Sequence, residues 1–497
     1  MATISIIGAG FSGLSAASYL AREGHEVTVY EKNASAGGRA RQFTTNDGYT
    51  FDMGPSWYWM PDIFEQYFND FGYSPSDFYE LKLLDPAFEM VFEDQAISIP
   101  SSFESLCVLF ESIEEGSANK LHKFMRESKY KYEKGMKKFA RMPGLSFTEF
   151  MDPALIKDAF RLDLFSSHSK HIRRYFSDPK LIALMEFPVL FLGAMPQETP
   201  ALYSLMNYAG LKLGTWYPEG GFGRVVEAMA EVAERAGATF RYNTPVEKIT
   251  VEHGRVDGII ADGQKDDCDA VVASADYHHV ENNLLDPSFR NYDESYWNNR
   301  TLAPSCLIFY LGISKKIPSL QHHTLFFETD LFKHSKEIYK NPKWPSEPLF
   351  YVCSPSQTDS SVAPAGHENL FLLMPLAPGV EDTKFQREKY FEIMMNRLEK
   401  QAKTDIRAHI NFKQGYCIND FNSDYHSFKG NAYGLANTLR QTAFLKPKIR
   451  NKKVNNLVYA GQLTVPGPGV PPALISGKMA SEQLLEFLNT SKNEAII

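Results

Sequence analysis

The first thirty residues alternate between short apolar runs and one helical repeat. Residues 4–7 are an apolar run that predicts a β-strand, and residues 27–30 predict a second strand. The Ala- and Leu-rich segment between them predicts a helix that ends near residue 22. A strand, a helix and a second strand in this order are typical of a βαβ unit. The pattern therefore predicts an α/β fold for the start of the chain.

Two later segments contain further strands. Residues 239–275 alternate between apolar and polar positions and turn at residues 253–254, which predicts paired strands. Residues 457–460 predict a strand that ends at Gly461, and a Gly- and Pro-rich turn then leads into a helix from about residue 472. Strands and helices therefore alternate at both ends of the chain.

The longest apolar runs are only about eight residues long, at residues 188–195 and 306–313. A helix that crosses a bilayer needs about 20 such residues. We therefore predict no membrane span.

Glycines punctuate the first strand–helix junction at a fixed spacing. Gly8, Gly10 and Gly13 form a Gly-x-Gly-x-x-Gly sequence directly after the first strand. Gly8 permits the tight turn, Gly10 lets the backbone approach a pyrophosphate, and Gly13 lets helix and strand pack closely. Glu31 ends the second strand, 18 residues after Gly13, where a carboxylate accepts hydrogen bonds from ribose hydroxyls. The segment predicts a Rossmann-like dinucleotide-binding unit.

A second glycine-rich turn identifies the dinucleotide. Gly37 and Gly38 let the backbone come close to a ligand, and Arg39 and Arg41 supply guanidinium groups suited to phosphate oxygens. This extended pattern resembles the FAD-binding superfamily of amine oxidases and carotenoid desaturases, in which this turn holds the FAD pyrophosphate. The resemblance therefore implies FAD rather than NAD.

The resemblance continues through three longer blocks, at residues 52–61, 190–225 and 461–478. Together they resemble bacterial-type phytoene desaturases over essentially the whole chain. They imply an FAD-dependent carotenoid desaturase that introduces C=C bonds into an isoprenoid hydrocarbon by hydride transfer to flavin. Phytoene, desaturated toward lycopene, is the first expected substrate, and 3,4-desaturation of a hydroxylated or monocyclic carotenoid is the alternative.

Two other functions share this architecture. A flavin amine oxidase would need a small polar pocket with an aromatic cage, and a non-enzymatic prenyl-lipid carrier would not need the full set of cofactor motifs. Both are less favoured than carotenoid desaturation.

The resemblance also implies which residues contact FAD. The binding is expected to be non-covalent, because the last cysteine, Cys417, precedes the segment at the flavin edge. Gln462 stands where many relatives carry Asp. No spacing identifies a catalytic base, so the catalytic residues are unknown at this stage. The expected cofactor-binding residues are Gly8, Gly10, Ser12, Gly13, Glu31, Gly38, Arg39, Gly54, Ser56, Trp57, Val246, Gly461, Gln462, Gly469 and Val470.

Three consecutive aromatic residues, Trp57, Tyr58 and Trp59, follow one of these segments. Rigid rings bury a large area at little entropic cost, which suits a flexible polyene without polar groups. All three are expected to line the mouth of an apolar channel.

The motifs divide the chain into interleaved parts. Residues 1–100, 205–290 and 425–497 are expected to form a discontinuous, Rossmann-like FAD-binding domain. Residues 101–204 and 291–424 are expected to form a mixed α+β substrate-binding and membrane-contacting region.

Composition excludes several classes of partner. The formal net charge of −8 argues against nucleic acid, whose binding requires many Lys and Arg contacts to phosphates. The five cysteines are scattered without a CxxC motif, so neither a metal site nor a disulfide is predicted. An odd number of cysteines also fits a reducing cytoplasm.

A basic segment predicts contact with a membrane surface. Residues 120–141 contain nine Lys or Arg and two Glu, with aromatic residues between them. Anionic lipids attract such a helix by about 1 kcal/mol per basic residue. Residues 165–176 are a second candidate. We therefore expect a cytoplasmic, peripherally membrane-associated protein that takes its carotenoid from the membrane. With no second dinucleotide motif, a quinone or oxygen is the expected electron acceptor.

Overall fold

Two β-sheets organise the chain. In the computed structural model, the structure describes residues 1–146, 162–164, 166–438 and 440–496. The strands are β1 (Thr3–Ile7), β2 (Glu26–Tyr30), β3 (Gln42–Thr44), β4 (Thr50–Asp52), β5 (Leu81–Leu83), β6 (Phe88–Val91), β7 (Ala96–Ile99), β8 (Trp216–Pro218), β9 (Thr239–Arg241), β10 (Val246–Glu252), β11 (Arg255–Ala261), β12 (Gln264–Asp267), β13 (Ala270–Ala273), β14 (Ser305–Ile313), β15 (His323–Phe326), β16 (Phe350–Cys353), β17 (Glu368–Leu376), β18 (Ile410–Tyr416) and β19 (Leu457–Tyr459).

Helices connect and cover the strands. In the described part of the chain, the α-helices longer than one turn are α1 (Phe11–Arg22), α2 (Pro61–Asp70), α3 (Phe103–Ile113), α4 (Ser117–Lys137), α5 (His168–Ile172), α6 (Pro179–Glu186), α7 (Leu205–Leu211), α8 (Phe222–Arg235), α9 (Glu294–Asn298), α10 (Leu331–Tyr339), α11 (Lys384–Ala402), α12 (Ile418–Tyr425) and α13 (Val470–Ile496).

The first sheet is five-stranded and parallel, in the order β19-β13-β1-β2-β9. Helix α1 packs closely on α13, where a Cβ added at Gly477 would lie 2.2 Å from the Ser12 carbonyl oxygen. The strand–helix–strand start of the chain and the C-terminal strand both belong to this sheet. The predicted α/β fold is confirmed, with α13 beginning at Val470, slightly earlier than expected.

The second sheet is seven-stranded and mixed, in the order β18-β14-β17-β16-β15-β6-β7. Its strand β14 contains the apolar run at residues 306–313 and is buried along its whole length. Because β6 pairs with β15, residues 88–99 hydrogen-bond within this sheet. The expected domain boundary at residue 100 therefore follows two strands that the structure places in the second sheet.

The segment at residues 239–275 divides between two sheets. Strands β10, β11 and β12 form an antiparallel sheet with the predicted turn at residues 253–254. Strands β9 and β13 instead join the first sheet, where β13 lies fully buried between β1 and β19. Its four apolar residues need cover on both faces, which explains why it does not continue the hairpin.

Helix α4 occupies most of the basic segment, but not all of its side chains face outward. Phe124, Lys131 and Tyr132 are buried, and Lys131 Nζ donates to Asp163 Oδ2 over 3.0 Å. Two of the aromatic residues of the basic segment, Phe124 and Tyr132, therefore pack inside the protein, whereas Tyr130 and Phe139 are half-buried. Of the second basic candidate, residues 166–176 are described and Phe165 lies outside the described residues. Within the described chain, every helix is too short or too polar to cross a bilayer.

Candidate functional site

One cavity lies between the two sheets and has a volume of about 430 Å³. Every expected cofactor residue except Gly13 contributes to its wall. Gly13 lies behind the wall, where an added Cβ would be 2.0 Å from the Gly8 carbonyl oxygen. This position fits the packing role that the sequence pattern predicts for the third glycine.

Glycines in the loops that follow β1 and β2 form a cradle at one part of the cavity. Gly37 N donates to the Ala9 carbonyl oxygen over 2.8 Å, and a Cβ added at Gly38 would lie 3.3 Å from Gly10 Cα. A Cβ added at Gly10 would meet no protein atom within 4 Å. Packing therefore does not require glycine at this position, and the open space beside it would allow a ligand to approach the backbone closely.

Glu31 is fixed at the end of β2. Its Oε2 accepts from Ala9 N over 2.9 Å, and its Oε1 accepts from Asn33 N over 2.9 Å and Asn33 Nδ2 over 2.8 Å. A carboxylate offers about four acceptor positions. The arrangement therefore leaves capacity for a ribose hydroxyl while the protein holds the side chain in place.

Arg39 carries a buried donor toward the same cradle. Its Nη2 donates to Ser427 Oγ over 2.9 Å, and its guanidinium lies 5.2 Å from the ring centroid of Tyr425. Burial lowers the pKa of Arg39, and its Nε has no hydrogen-bond partner among the described residues. An unpartnered buried guanidinium N–H beside a glycine cradle fits an anionic group such as a pyrophosphate.

The C-terminal turn closes this part of the cavity. Gly461 N donates to Ser476 Oγ over 2.9 Å, and Gly469 has a φ of 113° just before α13 begins. Gln462 faces Arg39. When the oxygen and nitrogen of its side-chain amide are assigned from their hydrogen-bond partners, the oxygen accepts from Arg39 Nη2 over 3.0 Å. The residue that replaces the family's Asp is therefore part of the hydrogen-bonded wall.

The three consecutive aromatic residues do not act together. Trp57 and Trp59 line the cavity, whereas Tyr58 is fully buried and stacks on Phe64 at a centroid distance of 4.3 Å. Its hydroxyl pairs with that of Tyr79 over 2.9 Å. The prediction that all three rings line the channel is wrong for Tyr58. Side chains alternate along an extended segment, so the middle ring points away from its neighbours.

The second sheet and α10 build the apolar part of the wall. Sequence reasoning missed these residues, although those of α10 recur at the spacing of one helical face. The wall residues on α10 are Leu331, His334, Ser335, Ile338 and Tyr339. Those contributed by the second sheet are Cys306, Ile308, Leu325, Phe350, Tyr351, Leu373 and Pro375.

Two polar groups of α10 differ in their surroundings. His334 is satisfied by protein, since Leu349 N donates to Nδ1 and Nε2 lies 3.0 Å from the Pro375 carbonyl oxygen. Burial lowers the pKa of His334 to about 4, which keeps the ring neutral. The Tyr339 hydroxyl, in contrast, is buried and has no partner among the described residues. It is therefore available to a ligand.

Cys306 is the cysteine that lines the cavity in the described part of the chain. Burial raises its pKa well above the ordinary value, and the five cysteines are free and buried. A thiol held in its protonated form is a poor nucleophile. The cavity therefore lacks an activated thiol that would favour covalent attachment of a ligand.

The sequence matches one protein family and is similar to several carotenoid desaturases. The sequence model of the family described as flavin containing amine oxidoreductase matches residues 11–485. Carotenoid 3,4-desaturase of Haloarcula japonica is 39% identical over 488 residues, which cover 97% of this chain and 98% of that protein. The 4,4'-diapophytoene desaturase (4,4'-diaponeurosporene-forming) of Staphylococcus haemolyticus is 30% identical, covering 98% and 100%. The zeta-carotene-forming phytoene desaturase of Myxococcus xanthus is 29% identical, covering 97% and 94%.

Solved structures share the fold at lower identity. Cyclohexylamine oxidase from Brevibacterium oxydans aligns with a TM-score of 0.59 and 14% identity, covering 98% of this chain and 99% of that one. An oxidoreductase from Methanosarcina mazei has a TM-score of 0.59 and 19% identity, covering 97% and 100%. These likenesses concern the fold alone.

Proposed function

This chain belongs to the carotenoid desaturases within the family of flavin-containing amine oxidoreductases, and from that premise we propose that it desaturates a carotenoid at the 3,4-position with non-covalently bound FAD. The chain is an oxidoreductase that acts on CH–CH bonds. Bound FAD supplies the acceptor for the hydride that leaves the substrate. The remaining question is which carotenoid enters and how the chain's own residues hold it.

The observation that carries the proposal is the continuity of the cavity. The same space is walled by the glycine cradle around Gly10 and by apolar side chains such as Trp57, Leu325 and Leu373. A cofactor in the cradle and a hydrocarbon on the apolar wall would therefore share one enclosure. The protein's contribution is to orient the hydrocarbon substrate against the cofactor and to exclude water.

The apolar wall also separates this function from amine oxidation. The rings of Trp57 and Trp59 could attract an ammonium group, but among the described residues the second sheet adds no anionic side chain to the cavity wall beside them. Within the cavity wall, the second sheet presents mainly Ile, Leu and Phe side chains. A long hydrocarbon is the better match to such a surface.

Two observations favour 3,4-desaturation over phytoene desaturation. The 3,4-desaturase is 39% identical to this chain, whereas the phytoene and diapophytoene desaturases are 29–30% identical. The unpartnered Tyr339 hydroxyl in the wall offers a hydrogen bond that phytoene, a hydrocarbon, does not use. A carotenoid with a hydroxyl near its reacting end would satisfy it. Phytoene desaturation, our first expectation from sequence, becomes the second candidate.

A feeding experiment in cells separates the two candidates. The chain is expressed in bacteria that accumulate phytoene, lycopene or a lycopene derivative hydroxylated at one end, and pigments are compared with standards. We expect a product with one additional terminal C=C bond from the hydroxylated carotenoid and little change in phytoene. Conversion of phytoene to coloured products would instead establish the second candidate.

Non-covalent binding of the cofactor follows from the thiol chemistry. Cys306 is the cavity cysteine among the described residues, and its raised pKa opposes attack on a flavin ring. We therefore propose that acid precipitation of the purified protein releases all of its flavin into the supernatant. Flavin that remains with the precipitate would contradict this proposal.

Access to a lipid-soluble substrate is proposed to occur at a membrane surface, through the exposed face of α4. This face combines basic side chains and few acidic ones, while Phe124 and Tyr132 of the helix are buried. Attraction would therefore be mainly electrostatic and sensitive to salt. The exposed basic residues are Lys123, Arg126, Lys129, Lys134, Lys137 and Lys138.

The electron acceptor is proposed to be a quinone or oxygen. A membrane-bound enzyme would meet both, and the chain contains a single Gly-x-Gly-x-x-Gly segment after a strand. Anaerobic reoxidation of the reduced protein by a short-chain quinone tests the first acceptor. Reoxidation that occurs only when oxygen is admitted would assign the second.

A further inference from the structure

A buried hydrogen-bonded chain begins at the apolar wall of the cavity. Ser56 Oγ and the Tyr351 hydroxyl lie 3.0 Å apart, and both residues line the cavity. The Tyr351 hydroxyl lies 2.6 Å from His323 Nδ1. Tyr351 and His323 are fully or almost fully buried. Burying a series of polar groups inside an apolar wall costs desolvation free energy, so its presence requires an explanation.

The chain continues away from the cavity through a second histidine. The rings of His323 and His322 lie at a centroid distance of 4.5 Å and an angle of 72°. Both Nε2 atoms are buried and have no partner among the described residues. His322 Nδ1 lies 2.8 Å from Thr358 Oγ1, and Thr358 is half-exposed. The polar series therefore runs from the cavity to a residue that reaches solvent.

Trp57 gives the series a further property. Its indole lies face to face with His323 at a centroid distance of 4.1 Å and an angle of 10°. An indole face attracts a cation and so favours the protonated imidazole relative to a purely aliphatic cover. Burial and the neighbouring His322 hold the pKa of His323 well below its ordinary value, and His322 has a pKa of about 3. Both rings are therefore neutral at rest, so a proton can pass through them only by exchange between the two nitrogens of each ring.

We propose that Tyr351, His323, His322 and Thr358 form a proton path that carries away the proton released by each desaturation, with Tyr351 as the catalytic residue that receives it at the cavity wall. This inference rests on the proposed carotenoid desaturation. His323 and His322 act through Tyr351, and Ser56 positions the Tyr351 hydroxyl.

The proton balance follows from the hydrogen bonds. Desaturation removes a hydride from one carbon, for which bound FAD would supply the acceptor, and a proton from the neighbouring carbon, whose C–H electron pair becomes the new π bond. The Tyr351 oxygen accepts that proton while its own proton passes to His323 Nδ1. His323 then releases the proton on Nε2 to His322 Nε2, directly or through one water. His322 finally donates its Nδ1 proton to Thr358 Oγ1 and solvent.

This balance fixes one tautomer for each ring. His323 must carry its resting proton on Nε2, with Nδ1 accepting from Tyr351. His322 must carry its resting proton on Nδ1 and donate it to Thr358. The two unpartnered Nε2 atoms are then a donor and an acceptor on rings whose centroids lie 4.5 Å apart, which gives each of them a role.

Three titratable neighbours surround the path. Asp359 lies close enough to raise the pKa of His322 against the effect of burial. Asp359 itself is tied to Ser361, Tyr217 and the backbone of Gly220. Burial raises the pKa of Cys353, on the strand beside His323, to about 12, so its thiol stays protonated. Buried Asp52 has a pKa of about 6.

The test compares Tyr351→Phe with Tyr79→Phe, which removes another buried hydroxyl outside the cavity wall. Flavin bleaching is followed anaerobically after mixing the FAD-loaded protein with carotenoid, in H₂O and in D₂O. We expect Tyr351→Phe to slow bleaching by at least about a hundredfold and Tyr79→Phe to leave it near the wild-type rate. We also expect a solvent isotope effect in the wild type that His323→Gln and His322→Gln alter.

A second readout does not depend on turnover. Nitrogen-15 spectra of histidine-labelled protein report the tautomer of each ring, with His322→Gln and His323→Gln used to assign the signals. The proposal requires neutral rings with Nε2–H on His323 and Nδ1–H on His322. The opposite tautomers, or an unchanged bleaching rate in Tyr351→Phe, would overturn it.

Metal analysis tests a competing explanation, that the two histidines and Cys353 bind a metal ion. A ring nitrogen of each histidine and the Cys353 sulfur lie within 4.8 Å of one another. One equivalent of zinc or copper that survives dialysis in the wild type and disappears in His322→Gln would assign the free nitrogens to a metal and overturn the proton path. If none of the carotenoids bleaches the flavin of the wild-type protein, the proposed function is rejected. The tautomers of the two histidines would still test the hydrogen-bonded path.

Discussion

The two sheets build their parts of the cavity from different kinds of group. The first sheet contributes mainly backbone at glycines such as Gly10 and Gly38, and the side chains it adds, Glu31 and Arg39, are held by nearby hydrogen bonds. The second sheet contributes apolar side chains from strands that are far apart in sequence. A backbone cradle suits a polar, phosphate-bearing ligand, whereas a wall of apolar side chains suits a hydrocarbon.

The same contrast appears in the buried polar atoms without a protein partner. Arg39 Nε and the Tyr339 hydroxyl belong to residues of the cavity wall, the first beside the glycines and the second among apolar side chains. Lys446 Nζ is equally buried and has no partner among the residues that the structure describes, but Lys446 does not line the cavity. An unpartnered atom is therefore informative about a ligand only where it meets a cavity.

The largest expected effects separate packing from ligand contact within one motif. Gly13→Val should prevent stable folding, at a cost of about 3 kcal/mol or more, because its Cβ would lie 2.0 Å from the Gly8 carbonyl oxygen. Gly10→Val should fold normally, since its Cβ meets open space and its φ of −75° suits valine. Its affinity for FAD should nevertheless fall at least about tenfold, because the side chain fills the cradle.

Thermal unfolding of the apoproteins and FAD titration measure the two effects separately. Gly10→Ala is the milder control and should lie between wild type and Gly10→Val in FAD affinity. Normal FAD binding by Gly10→Val would show that the cradle is not the cofactor site.

The next effect concerns substrate choice in the second region. Tyr339→Phe should reduce kcat/KM for a hydroxylated carotenoid by about 5- to 150-fold, the equivalent of one unpaired buried hydroxyl at about 1–3 kcal/mol. The rate with an unsubstituted carotenoid should change little, so the ratio between the two substrates is the measurement. Tyr79→Phe serves as the matched control. Equal losses with both substrates would assign Tyr339 a packing role only.

Lys446→Met sharpens the contrast between Tyr339, whose unpartnered hydroxyl lies in the cavity wall, and Lys446, which does not line the cavity. Burial lowers the pKa of Lys446 from 10.5 to about 7. Between these values the unfolded chain binds more protons than the folded chain, so the native lysine destabilises most at or below about pH 7 and less as the pH rises toward 10.5. The methionine variant should therefore be more stable by about 1–3 kcal/mol at pH 7.

Denaturant unfolding at pH 7 and pH 9 tests the sign of this effect. The gain should be smaller at pH 9, and substrate preference should be unaltered. A gain that grows with pH, or a change in substrate preference, would contradict the assignment of Lys446 to the structure alone.

The smallest effects are expected on the surface of α4. Replacing Lys129 by Gln should weaken binding to anionic vesicles by about 1 kcal/mol, and replacing Lys123 and Arg126 as well should add to the loss. Vesicle sedimentation at low and high salt measures it. Lys400→Gln, on helix α11, is the control for a general loss of positive charge. Binding that depends equally on both positions would exclude α4 as the membrane-facing surface.

The sequence predicted the first region far better than the second. Gly8, Gly10, Glu31 and the strands around them form a local motif in which spacing alone determines geometry, and the α/β fold built from it is confirmed. The cavity residues of α10 carried a helical repeat that is equally typical of an ordinary core helix. Tyr58 was misplaced because the composition of the triplet was considered without the alternation of an extended chain. The pairing of Tyr351 with His323 depends on strand register, which sequence patterns do not specify.

The most direct test of the whole account is a single anaerobic turnover of the purified, FAD-loaded protein. Flavin absorbance and carotenoid composition are recorded in the same sample after mixing with an end-hydroxylated lycopene derivative. The account predicts that one flavin is bleached for each new 3,4-double bond formed. A flavin that stays oxidised with this carotenoid and is bleached only by phytoene would contradict the proposed substrate, and a flavin that no carotenoid bleaches would contradict the proposed function.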